Sequence, residues 1–436
     1  MNLSDRIRDQ LSRANQVVFC TYATIAAFSV YFCMYAYRKP FSAVAFEDVA
    51  PVPLPGLPDL QYKIALIIAQ VIGYTLSKFY GIKFISEVAA HRRSASLIAL
   101  IGLSELALIF FAITPAPYNV VFLFLNGLPL GMIWGLVFSF LEGRRFTEAL
   151  GAGLSVSYIV SSGAVKSVGG WLIQMGVPEF QMPAATGLLF FPVLLFFVWL
   201  LSLVPPPTAL DEALRTKRQP MYRADRKRFL ALFGPGLFAL VFLYMFLTAY
   251  RDFRDNFAVE LWTALGYGEQ PWIFTFSEMP ITIVVLAVLG MLFLIRNNRV
   301  AMDLIFLAMI AGSVLIGAAT FAYQLEWIGA AAWMVLVGLG LYLSYVPYGC
   351  ILFERMIAAV GFVGTAGFMI YVADAFGYLG SVALILYKNF GKPNLAWEQF
   401  FIELSYVTSI VCVVAFLFAF LYFSPRMTNT QSAVSD

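Results

Sequence analysis

Two arginines follow tyrosines at the ends of apolar runs, Tyr37-Arg38 in YAYRKPF and Tyr250-Arg251 in TAYRDFRDNF. A guanidinium presents paired, planar N–H donors that match phosphate or carboxylate oxygens two at a time, where a lysine offers only a point charge. Lys78 in YTLSKF and Lys166 in SYIVSSGAVKSVGG add cations within apolar stretches, and Lys39 directly follows Arg38. An Arg/Arg/Lys set of this kind suits a small anionic ligand, phosphate first and carboxylate second. A neutral sugar would instead be met mainly by amides, hydroxyls and aromatic faces.

Acids occupy similar surroundings: Asp255, Glu278 in SEMPITIV and Asp374 in YVADAFGYLG. An ionised group near a bilayer centre costs at least roughly 2.5–3.5 kcal/mol, so such residues face a partner or a wet cavity. Two readings stand for the acids, a charge network with the cations or proton uptake. Two stand for the cations as well, because Arg38 and Arg251 also fit interfacial anchors, and Lys78 and Lys166 fit snorkelling side chains.

The elements that carry these residues are apolar helices. Of 436 residues, 61% are hydrophobic and 12% charged, more apolar surface than a soluble chain of this length can bury. Crossing the hydrocarbon core takes about 20 apolar residues per helix. Runs that meet this demand cover 17–37, 62–84, 95–114, 118–141, 148–174 and 184–204, then 229–250, 271–295, 301–323, 328–352, 357–388 and 401–424.

The expectation is an all-α integral membrane protein of twelve transmembrane helices, with one six-helix half at 1–204 and another at 229–436. Between them, 205–228 reads as a polar linker that opens with Pro205, Pro206 and Pro207 and carries seven Lys or Arg residues from Arg215 to Arg228. Basic residues gather on the side of that linker, which by the positive-inside rule places the linker and both termini in the cytoplasm. Lys63, Lys388 and Lys392 fall in loops of the opposite side. The first run lacks a small-residue cleavage site and reads as a retained helix. Cys20, Cys33, Cys350 and Cys412 have no metal-ligand spacing and read as small core residues.

Several segments together resemble the organophosphate:phosphate antiporter family of the major facilitator superfamily, the glycerol-3-phosphate and hexose-6-phosphate transporters. They are YAYRKPF, YTLSKF, the Arg251 segment, LFLNGLPLGMIWG, SEMPITIV and GTAGFMIYVADAFGYLGS. The resemblance implies the major facilitator fold, a bacterial cytoplasmic membrane location, a monomer without cofactor or metal, and exchange of an organic phosphate for inorganic phosphate by alternating access. It assigns phosphate binding to Arg38 and Arg251, a cavity role to Lys78, and a place in the charge network to Glu278. Tyr37, Tyr250 and Lys166 complete the expected substrate-binding set, and Lys39, Asp255 and Asp374 the network. The chain departs from the family where a histidine is expected near Ser161 or Ser162, since its single histidine is His91.

Two alternatives accompany this expectation. One is a proton-coupled carboxylate or sugar-acid transporter, and the other a membrane sensor of a phosphorylated metabolite. The expected partners are a small anion and the lipid bilayer, with no nucleic acid. Enzymatic chemistry is not expected, because the sequence has no Ser/His/Asp set, no His-rich cluster and no glycine-rich nucleotide loop.

Overall fold

A computed structural model describes residues 3–56, 58–142, 144, 147–207, 223–360 and 367–427. Its elements are helical throughout: α1 Leu3–Arg13, α2 Gln16–Met34, α3 Tyr62–Glu87, α4 Arg93–Ile113, α5 Val120–Leu130, α6 Ile133–Ser139, α7 Thr147–Gln174 and α8 Met182–Ser202. There follow α9 Arg223–Asn256, α10 Ala258–Ala264, α11 Ile273–Phe293, α12 Asn298–Gln324, α13 Ala330–Cys350, α14 Leu352–Ala359, α15 Gly367–Leu386 and α16 Trp397–Phe423. Among the described residues, ten segments are long and apolar enough to cross a membrane. The remaining two apolar runs are represented by α7 and α15. Helices prevail because hydrocarbon offers no partner to a backbone N–H or C=O, so each must be satisfied within its own segment.

The chain divides into two compact units. The first comprises Met1–Arg215 together with Asn256–Phe276, and the second Thr216–Asp255 with Ser277–Asp436. Most of the polar linker, 208–222, lies outside the described residues, as does 361–366 of the eleventh run.

Close helix approach in each unit depends on glycine. A Cβ added to Gly73 would lie 2.2 Å from the Phe124 carbonyl oxygen, and one on Gly127 2.4 Å from that of Gln70, so α3 and α5 meet backbone to backbone. In the second unit Gly312 and Gly340 do the same for α12 and α13, at 2.5 and 2.4 Å from each other's carbonyl oxygen. Small residues at such crossings are what drives helix association in lipid, where dispersion replaces the hydrophobic effect.

Two helix ends decide where the arginines stand. After Met34 the chain tightens into a 3-10 turn at Tyr35–Tyr37, and the backbone N–H groups of Arg38 and Lys39 both donate to the Tyr35 carbonyl, at 3.0 and 2.9 Å. Pro40 contributes to the break because it has no N–H with which to continue the helical ladder. A second 3-10 turn, Pro40–Ala43, follows.

The seventh run ends differently. Its apolar stretch stops at Tyr250, yet α9 continues to Asn256, so Arg251 lies inside a helix and not at its end. The expected boundary is therefore corrected by more than a turn. The helix can continue because its charged last turn is paired: Arg251 with Asp252, and Arg254 with Glu278.

Candidate functional site

In the first unit the segment from Tyr35 to Phe41 is buried, Arg38 and Lys39 included. Two amides hold its backbone. Gln70 Nε2 donates to the Arg38 carbonyl at 3.0 Å and to Asn126 Oδ1 at 2.8 Å, while Asn126 Nδ2 donates to the Tyr37 carbonyl at 3.0 Å and to Ser104 Oγ at 2.6 Å. Carbonyls freed by the helix break thus find partners on α3 and α5, which fixes the backbone from which the Arg38 side chain departs.

The Arg38 guanidinium carbon sits 4.0 Å from the centre of the Tyr74 ring. Lys78, one turn further along α3, has its ammonium 5.4 Å from the same ring. An aromatic face attracts cations through its quadrupole, so one tyrosine gathers two positive charges that would otherwise repel. Lys39 turns elsewhere, its Nζ donating to Asn256 Oδ1 at 2.7 Å.

A second charged cluster in this unit was not anticipated from the sequence. Lys63, read there as a loop residue, lies buried in α3 and pairs with Glu260 of α10 at 2.6 and 2.8 Å, while also donating to the Ser42 carbonyl at 3.1 Å. Lys166 is fully buried and interacts electrostatically with both members of this pair. It therefore stands with Lys63 and Glu260.

Tyr37 is enclosed. Its ring and the Glu105 carboxylate both approach Gly187 of α8, within 3.0 and 2.1 Å of the point where a side chain on that glycine would begin.

In the second unit Arg251 bends back on its chain neighbour. Residues one apart do not face the same side of a helix, and only the length of arginine lets Nε and Nη2 reach Asp252 Oδ1, at 3.0 and 2.6 Å. The other carboxylate oxygen of Asp252 accepts from Ser381 Oγ at 2.6 Å. Arg251 Nη1 donates to the Tyr345 hydroxyl, which lies 2.9 Å from the Tyr244 hydroxyl, and Tyr244 donates to Asp374 Oδ1 at 2.6 Å. Asp374 is thereby joined to Arg251 through two hydroxyls.

Glu278 pairs with Arg254 at 2.6 Å, and Arg254 also donates to the Met334 carbonyl at 3.0 Å. Gly338 leaves the room for this, since a Cβ there would meet the guanidinium at 2.7 Å. Asp255 is half-buried and, like Arg254 and Glu278, interacts electrostatically with Tyr342. Tyr250 is fully buried, with its hydroxyl 2.8 Å from Ser405 Oγ and its ring stacked on Phe401 at 5.1 Å.

The structure therefore brings together Arg38 with Lys78, and Arg251 with Asp374, while Lys166, Lys39 and Glu278 have other neighbours. Sequence reasoning missed Gln70, Asn126, Lys63, Glu260, Asp252 and Arg254. The signal for Asp252 and Arg254 was present in RDFRDN, which contains no helix breaker.

A family model described as Family of unknown function (DUF5690) matches residues 40–426, nearly the whole chain. The chain belongs to that family. No curated protein matches it. Solved structures of the same fold include a POT family transporter in complex with thioalcohol conjugated peptide, at 12% identity and TM-score 0.59, covering 92% of this chain and 96% of that one. The major facilitator superfamily proton:xylose symporter XylE bound to 6-bromo-6-deoxy-D-glucose aligns at 13% identity and TM-score 0.56, covering 96% and 98%. The nucleoside transporter NupG gives 15%, 0.56, 93% and 98%.

This DUF5690 protein is accordingly a multi-pass, all-α integral membrane protein with the major facilitator fold. Identities this low carry the fold and nothing about the ligand. In this DUF5690 chain two of the expected site residues, Arg38 and Lys78, meet over the ring of Tyr74.

Proposed function

We propose that the protein is a secondary transporter that exchanges a small organic phosphate for inorganic phosphate by alternating access, with both termini on the cytoplasmic side of a bacterial inner membrane. The observation that supports this reading is the cationic site of the first unit. Arg38 and Lys78 share the Tyr74 ring, and Gln70 and Asn126 hold the Arg38 backbone in place. Such a site has its donors positioned before the anion arrives, which reduces the ordering cost of binding.

Arg251 is a second anion-binding cation in this proposal, held in the meantime by Asp252 and Tyr345. An arriving phosphate competes with the Asp252 carboxylate for the same guanidinium. Binding can then shift the conformational equilibrium, because the anion interacts differently with a paired and a released arginine.

Counterflow of labelled inorganic phosphate in proteoliposomes tests the assignment. Arg38→Lys and Arg251→Lys keep the charge and lose the bidentate geometry, and each is expected to lower exchange about tenfold or more, equivalent to about 1.4 kcal/mol. Unchanged exchange in both variants overturns the phosphate assignment. Proton-coupled uptake of a carboxylate or sugar acid is the second reading, and it draws on Asp374 at the end of the Tyr345–Tyr244 hydroxyl chain. A steep dependence on the proton gradient with indifference to phosphate would favour it.

A further inference from the structure

The structure holds one deeply buried acid whose situation differs from that of every residue discussed above. Glu105 lies on α4 about one turn from the middle of the span Ala90–Ile113, and is 6% exposed. Both of its carboxylate oxygens are buried and lack a hydrogen-bond partner. Glu260, Glu278, Asp252 and Asp374, by contrast, each accept a hydrogen bond from a named donor.

The groups around Glu105 come from four elements. Tyr37 reaches it from the 3-10 turn after α2, and the Tyr37 hydroxyl is itself buried without a partner. Cys33, one turn earlier on α2, interacts with Tyr37. Gly187 of α8 leaves room for the carboxyl group, since a Cβ there would lie 2.1 Å from Glu105 Oε2. Ser104, the residue before Glu105, is occupied by Asn126 of α5. Of these groups only Tyr37 and Cys33 can titrate, and both are neutral in ordinary conditions. Arg38, the nearest arginine in sequence to Tyr37, is turned to the Tyr74 ring, and among the described residues no lysine or arginine forms an ion pair with Glu105.

A carboxylate without a partner in such surroundings carries a penalty of several kcal/mol, whereas the protonated acid costs only the unmade hydrogen bonds of a neutral group. The neutral form is therefore the one compatible with this conformation. We propose that Glu105 is a proton-binding site of the transport cycle, protonated in the conformation described here and ionised in another, in which it meets water or a cation. The step is a simple exchange, with the carboxylic acid releasing its proton to water as the carboxylate forms.

The site is wired to the anion-binding segment through the backbone. Asn126 holds Ser104 beside Glu105 and the Tyr37 carbonyl beside Arg38, so a displacement of residues 35–39 disturbs both ends of one amide network. Proton binding and conformational state are then linked, since a group charged in one state and neutral in another biases the equilibrium with pH.

Infrared difference spectroscopy on the full-length protein in lipid, between acidic and alkaline pH, tests this without any substrate. A protonated, buried carboxylic acid gives a carbonyl stretch apart from the ionised ones. We expect such a band in the wild type, its shift when the protein is grown with carboxyl-labelled glutamate, and its loss in Glu105→Gln. The amide band of the same spectra reports whether the variant is folded, and the isotope arm needs no variant at all. A band unmoved by labelled glutamate, or retained in folded Glu105→Gln, overturns the proposal.

Linkage is read by thermal shift with inorganic phosphate as the probe. The proposal rests there on the phosphate reading, and predicts that the pH dependence of the wild-type shift exceeds that of Glu105→Gln, in which only the titration of phosphate itself and of the remaining groups is left. Equal pH dependence in the two proteins overturns the linkage. Absence of any phosphate effect at every pH overturns the phosphate reading and leaves the infrared result to decide on Glu105.

Discussion

The two Tyr-Arg segments are alike in sequence and unlike in structure. In the first unit the break before Pro40 frees carbonyls, and neutral amides take them, while the arginine rests on an aromatic face. In the second unit the helix runs on through RDFRDN, and the arginine is held by an acid one residue away. One segment is fixed through its backbone and the other through its charges. Neutral amides position a backbone, whereas a carboxylate on the guanidinium holds the side chain itself.

The charge-held segment should be the more fragile. Glu278→Ala leaves Arg254 buried with its carboxylate partner removed, and breaking a buried ion pair from one side costs about 3–5 kcal/mol. Unfolding of the detergent-solubilised protein, followed by loss of helical signal, is expected to show a fall of that size. A change below about 1 kcal/mol, the range of an exposed ion pair, would mean that water already reaches this pair, and the contrast between the segments would shrink.

Asn126→Leu asks the same question of the backbone-held segment. It removes the donor to the Tyr37 carbonyl and to Ser104, along with the acceptor of Gln70. A stranded buried group costs about 1–3 kcal/mol, so the expected loss is smaller than for Glu278→Ala. Phosphate exchange should fall further than stability does, because the Arg38 carbonyl keeps only a Gln70 that has lost its own anchor. Exchange that tracks stability alone would remove the positioning role.

How much of this could be read from the sequence follows from what bilayers demand. Twelve apolar runs were legible because each must hold about 20 residues, and no tertiary detail alters that requirement. Run lengths failed at Tyr250, where hydropathy ends and the helix does not, because the charges of Asp252 and Arg254 are compensated by Ser381, Arg251 and Glu278, residues distant or adjacent in ways that hydropathy ignores. Arg38 and Lys78 were legible as cations in apolar surroundings, but their shared ring depends on the turn before Pro40 and the register of α3. Gln70 and Asn126 are visible as amides within apolar runs, and only packing shows that they meet the same backbone. Lys63 sits at the start of its run and reads as a loop residue until Glu260, far along the chain, is seen beside it. Glu105 stands in the middle of IGLSELALIFFAI, a lone acid as costly as any of those singled out, and its separate position became clear only from the absence of a partner for its carboxyl group.

The smallest effect is also the sharpest discrimination, since it turns on a single hydroxyl in each segment. Tyr250 donates to or accepts from Ser405, so Tyr250→Phe removes a made hydrogen bond, worth about 0.6 kcal/mol on average inside membranes. The Tyr37 hydroxyl has no partner to lose. Tyr37→Phe should therefore be neutral or slightly stabilising, since it replaces an unsatisfied buried polar group by hydrogen at almost unchanged shape. Paired melts of the two variants measure the difference. If Tyr37→Phe proved the more costly, its hydroxyl would have a partner, and Glu105, the acid beside it, would be the first to examine.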